Sequence, residues 1–170
     1  MRSNTKKLAV SALLIALDVV LTRLLAINTN VMKIGLGFAA VALSAMLYGP
    51  WWAALTAALG DLLGAVLFPT GAYFPGFTLT AACTGLLFGL CMYKKPARWH
   101  WPVLAAALNT LLVTYLANTA LICYITGNAF SVLLAARAVQ LAVMFPVQAL
   151  VLGWLSRSGS VKKLIDRAAQ

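Results

Sequence analysis

Apolar residues along this chain fall into six long stretches, each bounded by glycine, proline or a cluster of cations. Within a stretch the apolar positions are nearly continuous rather than alternating, and most stretches are too long for strands. The pattern predicts helices that are apolar on almost every face. The first covers residues 5–27. The second, 33–48, is short and stops at the Gly49-Pro50 pair. The third covers 51–68 and is followed by a loop containing Pro69, Gly71, Pro75 and Gly76. The fourth covers 76–93, the fifth 101–126 and the sixth 129–155. Pro146 lies inside the sixth, where its missing N–H should bend the helix. An apolar helix of about 20 residues matches the hydrocarbon thickness of a bilayer. The expectation is therefore an all-α integral membrane protein, a compact bundle of six transmembrane helices forming one domain over residues 1–170.

Composition agrees with that pattern. The chain is 63% hydrophobic and 9% charged, whereas a soluble domain is roughly half apolar and a quarter charged. The net charge of +10 alone would fit a nucleic-acid binder, but its placement argues otherwise. Arg2, Lys6 and Lys7 precede the first stretch. Lys94, Lys95 and Arg98 share one loop, and Arg157, Lys162, Lys163 and Arg167 close the chain. Under the positive-inside rule these clusters orient the bundle and meet anionic lipid. The N-terminus, the 94–98 loop and the C-terminus are then cytoplasmic, and loops 28–32, 69–75 and 126–128 face outward. Trp51, Trp52, Trp99, Trp101 and Trp154 all map to the cytoplasmic edge, as interface anchors do. The basic start followed by an apolar run resembles a signal peptide, but Asp18 and Arg23 interrupt it and further spans follow, so it reads as an uncleaved first helix. Cys83, Cys91 and Cys123 show no metal-ligand spacing, and the single histidine, His100, sits between tryptophans at a loop. Neither a metal site nor a covalently bound cofactor is expected.

The informative residues are the ionisable ones inside apolar stretches: Asp18, Arg23, Asp61 and Arg137. A charge at mid-membrane costs about 2.5–3.5 kcal/mol on insertion scales, so such groups face protein or a wet cavity. At about 1.5 Å per residue, Arg23, Asp61 and Arg137 all fall in the outer half, with Asn118 at a similar level. Four polar groups from four helices at one depth describe a pocket open to the outside. The loop 71–77 adds ring faces from Tyr73, Phe74 and Phe77, which stack well on a flat ligand. Asp61 has an alternative role as a structural partner of Arg23 or Arg137, and Arg23 can instead snorkel outward. Asp18 lies about 140° around an ideal helix from Arg23, which favours a structural role. Small residues recur as Gly60/Gly64, Gly85/Gly89 and Ala12/Ala16, with Ala9 near the last pair, and such spacings permit close helix packing.

These residues resemble a known family. The short six-helix layout, the Ala12-Leu13-Leu14-Ile15-Ala16 motif and the run GDLLGAVLFPTGAYFPGFT at 60–78 are similar to the substrate-binding S components of energy-coupling factor (ECF) transporters, specifically the folate-specific type. The resemblance covers essentially the whole chain. It implies a plasma-membrane protein of bacteria that captures folate on the outer side, without itself being an enzyme. It also implies delivery inward together with a transmembrane scaffold subunit and two cytoplasmic ATPase subunits. This chain has no Walker A sequence, so ATP is used only by the partners. The scaffold would dock on Ala9, Ala12 and Ala16. Folate itself fits the inventory: Asp61 or Asn118 accepts from the pterin, Tyr73, Phe74 and Phe77 stack on it, Arg137 meets its carbonyl, and Arg23 or Lys33 takes the glutamate carboxylates. One tension concerns Arg23, which on an ideal helix lies within about 20° of Ala12 on the docking face.

Other readings stay open at this point. An S component for riboflavin or thiamin keeps the class, although three cations against one acid favour an anionic ligand over cationic thiamin. A membrane-embedded transferase would need several acids to hold a metal, and the chain has three acids in all, with Asp166 in the tail. A small channel or packing protein leaves the 60–78 run unexplained.

Overall fold

A computed structural model describes residues 2–24, 26–28, 33–69, 73–95, 98–127, 129–159, 161 and 163–165. Helix α1 spans Arg2–Val19 and runs directly into a π-helical segment, Val20–Leu24. A short antiparallel pairing follows, β1 (Ile27–Asn28) against β2 (Lys33–Ile34), with Ile27 opposite Ile34 and Asn28 opposite Lys33. Then come α2 (Phe38–Tyr48), α3 (Pro50–Leu67) and α4 (Pro75–Met92). Helix α5 (His100–Leu108) continues through a second π segment, Asn109–Ala117, into α6 (Asn118–Thr126). Helix α7 spans Phe130–Arg157 and passes through Pro146 as one helix. Apart from the two-residue pairing, the regular elements among the described residues are all helical.

The boundaries follow local chemistry. Gly49 adopts φ +91°, a conformation that side chains disfavour, so it stops α2 and lets Pro50 open α3. Pro75 and Pro102 likewise sit in first turns, where a missing N–H costs nothing. Helix α2 begins at Phe38 rather than at Lys33 as the apolar pattern predicts. Gly35 and Gly37 interrupt the pattern, and glycine is about 1 kcal/mol poorer than alanine in a helix. The backbone of 33–34 pairs with 27–28 instead.

Small residues set the helix spacing. A Cβ on Gly85 would strike the Ala53 carbonyl, and one on Gly89 would strike Pro50, so α4 lies backbone-to-backbone on the start of α3. Ser44 and Thr56 share a buried 2.9 Å hydrogen bond between α2 and α3. The core continues through Met46, Ala57, Phe88, Ala105, Met144 and Leu152, joining α2, α3, α4, α5 and α7.

Outside this core the surface is apolar: Leu13, Leu62, Val66, Leu79, Leu90, Val132, Val139 and Leu150 are exposed. Among the described residues, four helices are long and apolar enough to cross a membrane: Pro50–Leu67, Pro75–Met92, His100–Thr126 and Phe130–Arg157. An apolar exterior around small-residue helix contacts is the organisation expected of a protein whose solvent is lipid.

Candidate functional site

The first π segment decides where Arg23 points. A π turn carries an extra residue, which rotates everything after it by about 100° relative to a regular helix. Arg23 thereby leaves the Ala12 side of α1 and lies along α3, its Nε directly over Gly64. Its guanidinium reaches Asp61, with Nη2 3.5 Å from Oδ1 and 3.4 Å from the Asp61 carbonyl oxygen. Both side chains are largely covered, at 10% and 18% exposure. Arg23 thus pairs inward rather than snorkelling, and of the two cations open to Asp61 from sequence it is Arg23 that approaches it.

Asp61 is the centre of a longer chain. Thr78 donates to Asp61 Oδ2 at 2.9 Å, and the Thr78 and Tyr73 hydroxyls lie 2.8 Å apart. The series Arg23–Asp61–Thr78–Tyr73 therefore ties the π segment after α1 to α3, the start of α4 and Tyr73, two residues ahead of it.

Next to it, Phe74 and Phe77 meet edge to face at 6.4 Å, and Phe74 approaches the Tyr124 ring at 5.9 Å. Gly76 makes this possible, because a Cβ there would collide with Phe74 and Leu121. Thr80 then donates to Asn118 Oδ1 at 2.8 Å, joining α4 to α6.

Arg137 stands apart from Asp61. It is buried at 4% exposure on α7. Its Nη1 donates to Thr119 at 3.0 Å and its Nε donates to Gln140 at 3.1 Å. Thr119 adjoins Asn118, so α6 carries neighbouring contacts to the Asp61 side and to the Arg137 side. Lys33 has its backbone in β2, and its side chain lies outside the described residues, as does the loop 70–72.

Asp18 occupies a separate position. It is buried, accepts from the Thr22 hydroxyl at 2.9 Å, and presses against Gly37 and Gly60, where any Cβ would overlap its carboxylate. Gly60 and Gly64 of α3 thus receive Asp18 of α1 and Arg23 of the π segment that follows it. On the other side of α1, Ala9, Ala12 and Ala16 are exposed, while Ser11, Leu14 and Asp18 face the bundle.

Sequence reasoning did not single out Thr78, Thr80, Thr119, Gln140 or Tyr124. Gln140 follows Arg137 by three residues, a spacing that places both on one helix face. Thr119 follows Asn118. Hydroxyls near a buried charge at the same depth were the available signal.

The sequence model of the family described as "ECF-type riboflavin transporter, S component" matches residues 2–157. The chain belongs to the S components of ECF-type transporters, a family of transport proteins rather than enzymes. Among individual proteins, it is 42% identical over 158 residues to the folate transporter FolT of Clostridium novyi (strain NT), covering 92% of this chain and 87% of that one. It is 32% identical over 151 residues to the folate transporter FolT of Leuconostoc mesenteroides subsp. mesenteroides, covering 85% and 81%. Its fold matches a crystal structure of FolT bound with folic acid at a TM-score of 0.85, with 33% identity over 89% of this chain and 93% of that one.

Proposed function

We propose that this chain is the folate-binding subunit of an ATP-driven ECF-type importer. It captures folate from outside the cell and delivers it inward together with a scaffold subunit and two ATPase subunits. The observation that carries the reading is the series Arg23–Asp61–Thr78–Tyr73 beside the Phe74–Phe77–Tyr124 rings, in a chain whose relatives and structural match are folate proteins. Six helices cross the membrane in this reading, α1 with its π segment and α2 completing the four longer ones, and both termini are cytoplasmic.

The division of labour follows from the chemistry. A pterin is flat and presents N–H donors along one edge and a carbonyl on the ring. Asp61 and Asn118 accept from that edge, and Tyr73, Phe74 and Phe77 supply stacking faces. Arg137, held by Thr119 and Gln140, keeps a fixed guanidinium for the carbonyl or another acceptor, because a guanidinium carries five donors and cannot lose its charge. Arg23 and Lys33 offer positive charge to the glutamate tail. The exposed Ala9–Ala12–Ala16 side of α1 is the face that the scaffold covers, since small side chains let two helix backbones approach closely.

The matching family model is described by riboflavin, which makes that vitamin the second reading. Riboflavin brings a flat ring without carboxylates, so the positive charge at Lys33 would meet no ligand anion, and Arg23 would keep Asp61 as its partner. Titration of the purified chain with each vitamin in the absence of ATP distinguishes the two.

A further inference from the structure

We propose that Thr78 is a positioning residue that sets the hydrogen-bond polarity of the site and so makes the Tyr73 hydroxyl an acceptor for a ligand amino group. This rests on the reading that Asp61 and Tyr73 border the folate ring.

The polarity follows from where each proton must go. An ionised carboxylate only accepts, and a hydroxyl has one proton to donate. Asp61 Oδ1 faces the Arg23 guanidinium at 3.5 Å, and Oδ2 takes the Thr78 proton at 2.9 Å. The Thr78 and Tyr73 hydroxyl oxygens lie 2.8 Å apart, and Thr78 has no second proton to give. The proton between them is therefore the tyrosine's. Donation runs from Arg23 into Asp61 on one side, and from Tyr73 through Thr78 into Asp61 on the other. Tyr73 Oη keeps lone pairs and has no donor left.

Thr78 differs in this from its neighbours on α4. Thr80 donates to the Phe77 carbonyl at 2.9 Å and Thr84 to the Thr80 carbonyl at 3.1 Å, as threonines in helices commonly do. Thr78, in the first turn, sends its proton across to α3 instead. Two acceptors that share one hydroxyl partner lie no more than about 6 Å apart. The two diverging N–H bonds of one amino group reach acceptors about 5 Å apart. Asp61 and Tyr73 together thus suit the pterin amino group, with one N–H to each. Tyr73 is 46% exposed, which leaves its hydroxyl room for a ligand beside its ring face. A ligand carbonyl placed there would face lone pairs, and that repulsion excludes the wrong edge of the ring.

Calorimetric titration of the purified full chain compares folate with a folate analogue carrying methyl in place of the pterin amino group. The wild type should prefer folate at least tenfold. Thr78→Val removes the acceptor of the Tyr73 proton, so that hydroxyl turns to donate outward, and the preference should fall about fivefold. Tyr73→Phe should lower it equally, and the double variant should fall no further than either alone. Thr78→Ser keeps the hydroxyl and should keep the preference, and Thr84→Val should leave it unchanged. A merely structural Thr78 would weaken both ligands alike, so an unchanged ratio in Thr78→Val would overturn the proposal. Equal affinity of the wild type for both ligands, an unchanged ratio in Tyr73→Phe, multiplied losses in the double variant or a lowered ratio in Thr84→Val would also overturn it. Failure of the wild type to bind folate at all would overturn the folate reading itself, and this assignment with it.

Discussion

Arg23 and Asp61 lie 3.5 Å apart between the π segment Val20–Leu24 and α3, and that segment is what turns Arg23 toward its partner. Without that segment the guanidinium would project beside Ala12, among side chains that leave the bundle. The same two residues of α3 that make the contact close, Gly60 and Gly64, accept the side chains of Asp18 and Arg23. A helix irregularity, a glycine spacing and an ion pair thus form one unit at the edge of the proposed folate site.

The ion pair should show energetic coupling. Removing either partner leaves the other charge largely covered and uncompensated, which is more costly than removing both. Arg23→Ala and Asp61→Ala should each lower the thermal midpoint of the purified protein in detergent. The double variant should lose less than the two single losses combined, with a coupling of about 0.5–3 kcal/mol. Strict additivity would mean that the pair contributes nothing.

Helix α3 should tolerate no side chain at its glycines. A Cβ at Gly64 falls 2.8 Å from Arg23 Nε, and one at Gly60 overlaps the Asp18 carboxylate. Gly60→Ala and Gly64→Ala should each destabilise by about 1–3 kcal/mol, the usual cost of overpacking. Gly159→Ala, with nothing within 4 Å, should be neutral in the same unfolding assay. Equal behaviour of all three would contradict the packing.

Arg137 should matter to the ligand more than any surface cation. A hydrogen bond to a charged group is worth about 1.5–3 kcal/mol, so Arg137→Ala should weaken folate binding at least tenfold. Lys94→Ala, in the 93–95 turn beside the Tyr93 ring, should leave it unchanged. Calorimetry on both variants checks this, and equal losses would remove Arg137 from the site.

Docking and binding should separate. Ala12 and Ala16 are exposed on the side of α1 away from Ser11, Leu14 and Asp18. Replacing both with leucine should abolish folate uptake by cells while the purified variant still binds folate. If binding disappears as well, that face serves the site rather than the scaffold.

The apolar stretches, with glycine and proline at their ends, gave the helices to within a few residues, because a lipid-facing helix must be apolar throughout and its boundaries need chain-breaking chemistry. Which polar residues lie inside the helices was equally legible: Arg23 meets Asp61, and Asn118 adjoins Thr119, the partner of Arg137. Direction around the helix was not. The π segments Val20–Leu24 and Asn109–Ala117 carry no distinct composition, so an ideal-helix count pointed Arg23 at Ala12, and the choice between Arg23 and Arg137 as the partner of Asp61 stayed open. The start of α2 was misplaced because Ile34 and Leu36 continue the apolar pattern across Gly35 and Gly37, and neither residue type reports a two-residue strand pairing. Thr78, Thr80 and Thr119 escaped notice because a threonine in an apolar helix commonly bonds its own backbone, as Thr84 and Thr126 do here.

Whether this S component takes folate is decided by titration calorimetry of the purified full chain, without ATP or partner subunits. Saturable one-to-one binding of folate, weakened by Arg137→Ala, is expected, with no heat from riboflavin at the same concentrations. Saturable binding of riboflavin with none of folate would contradict it.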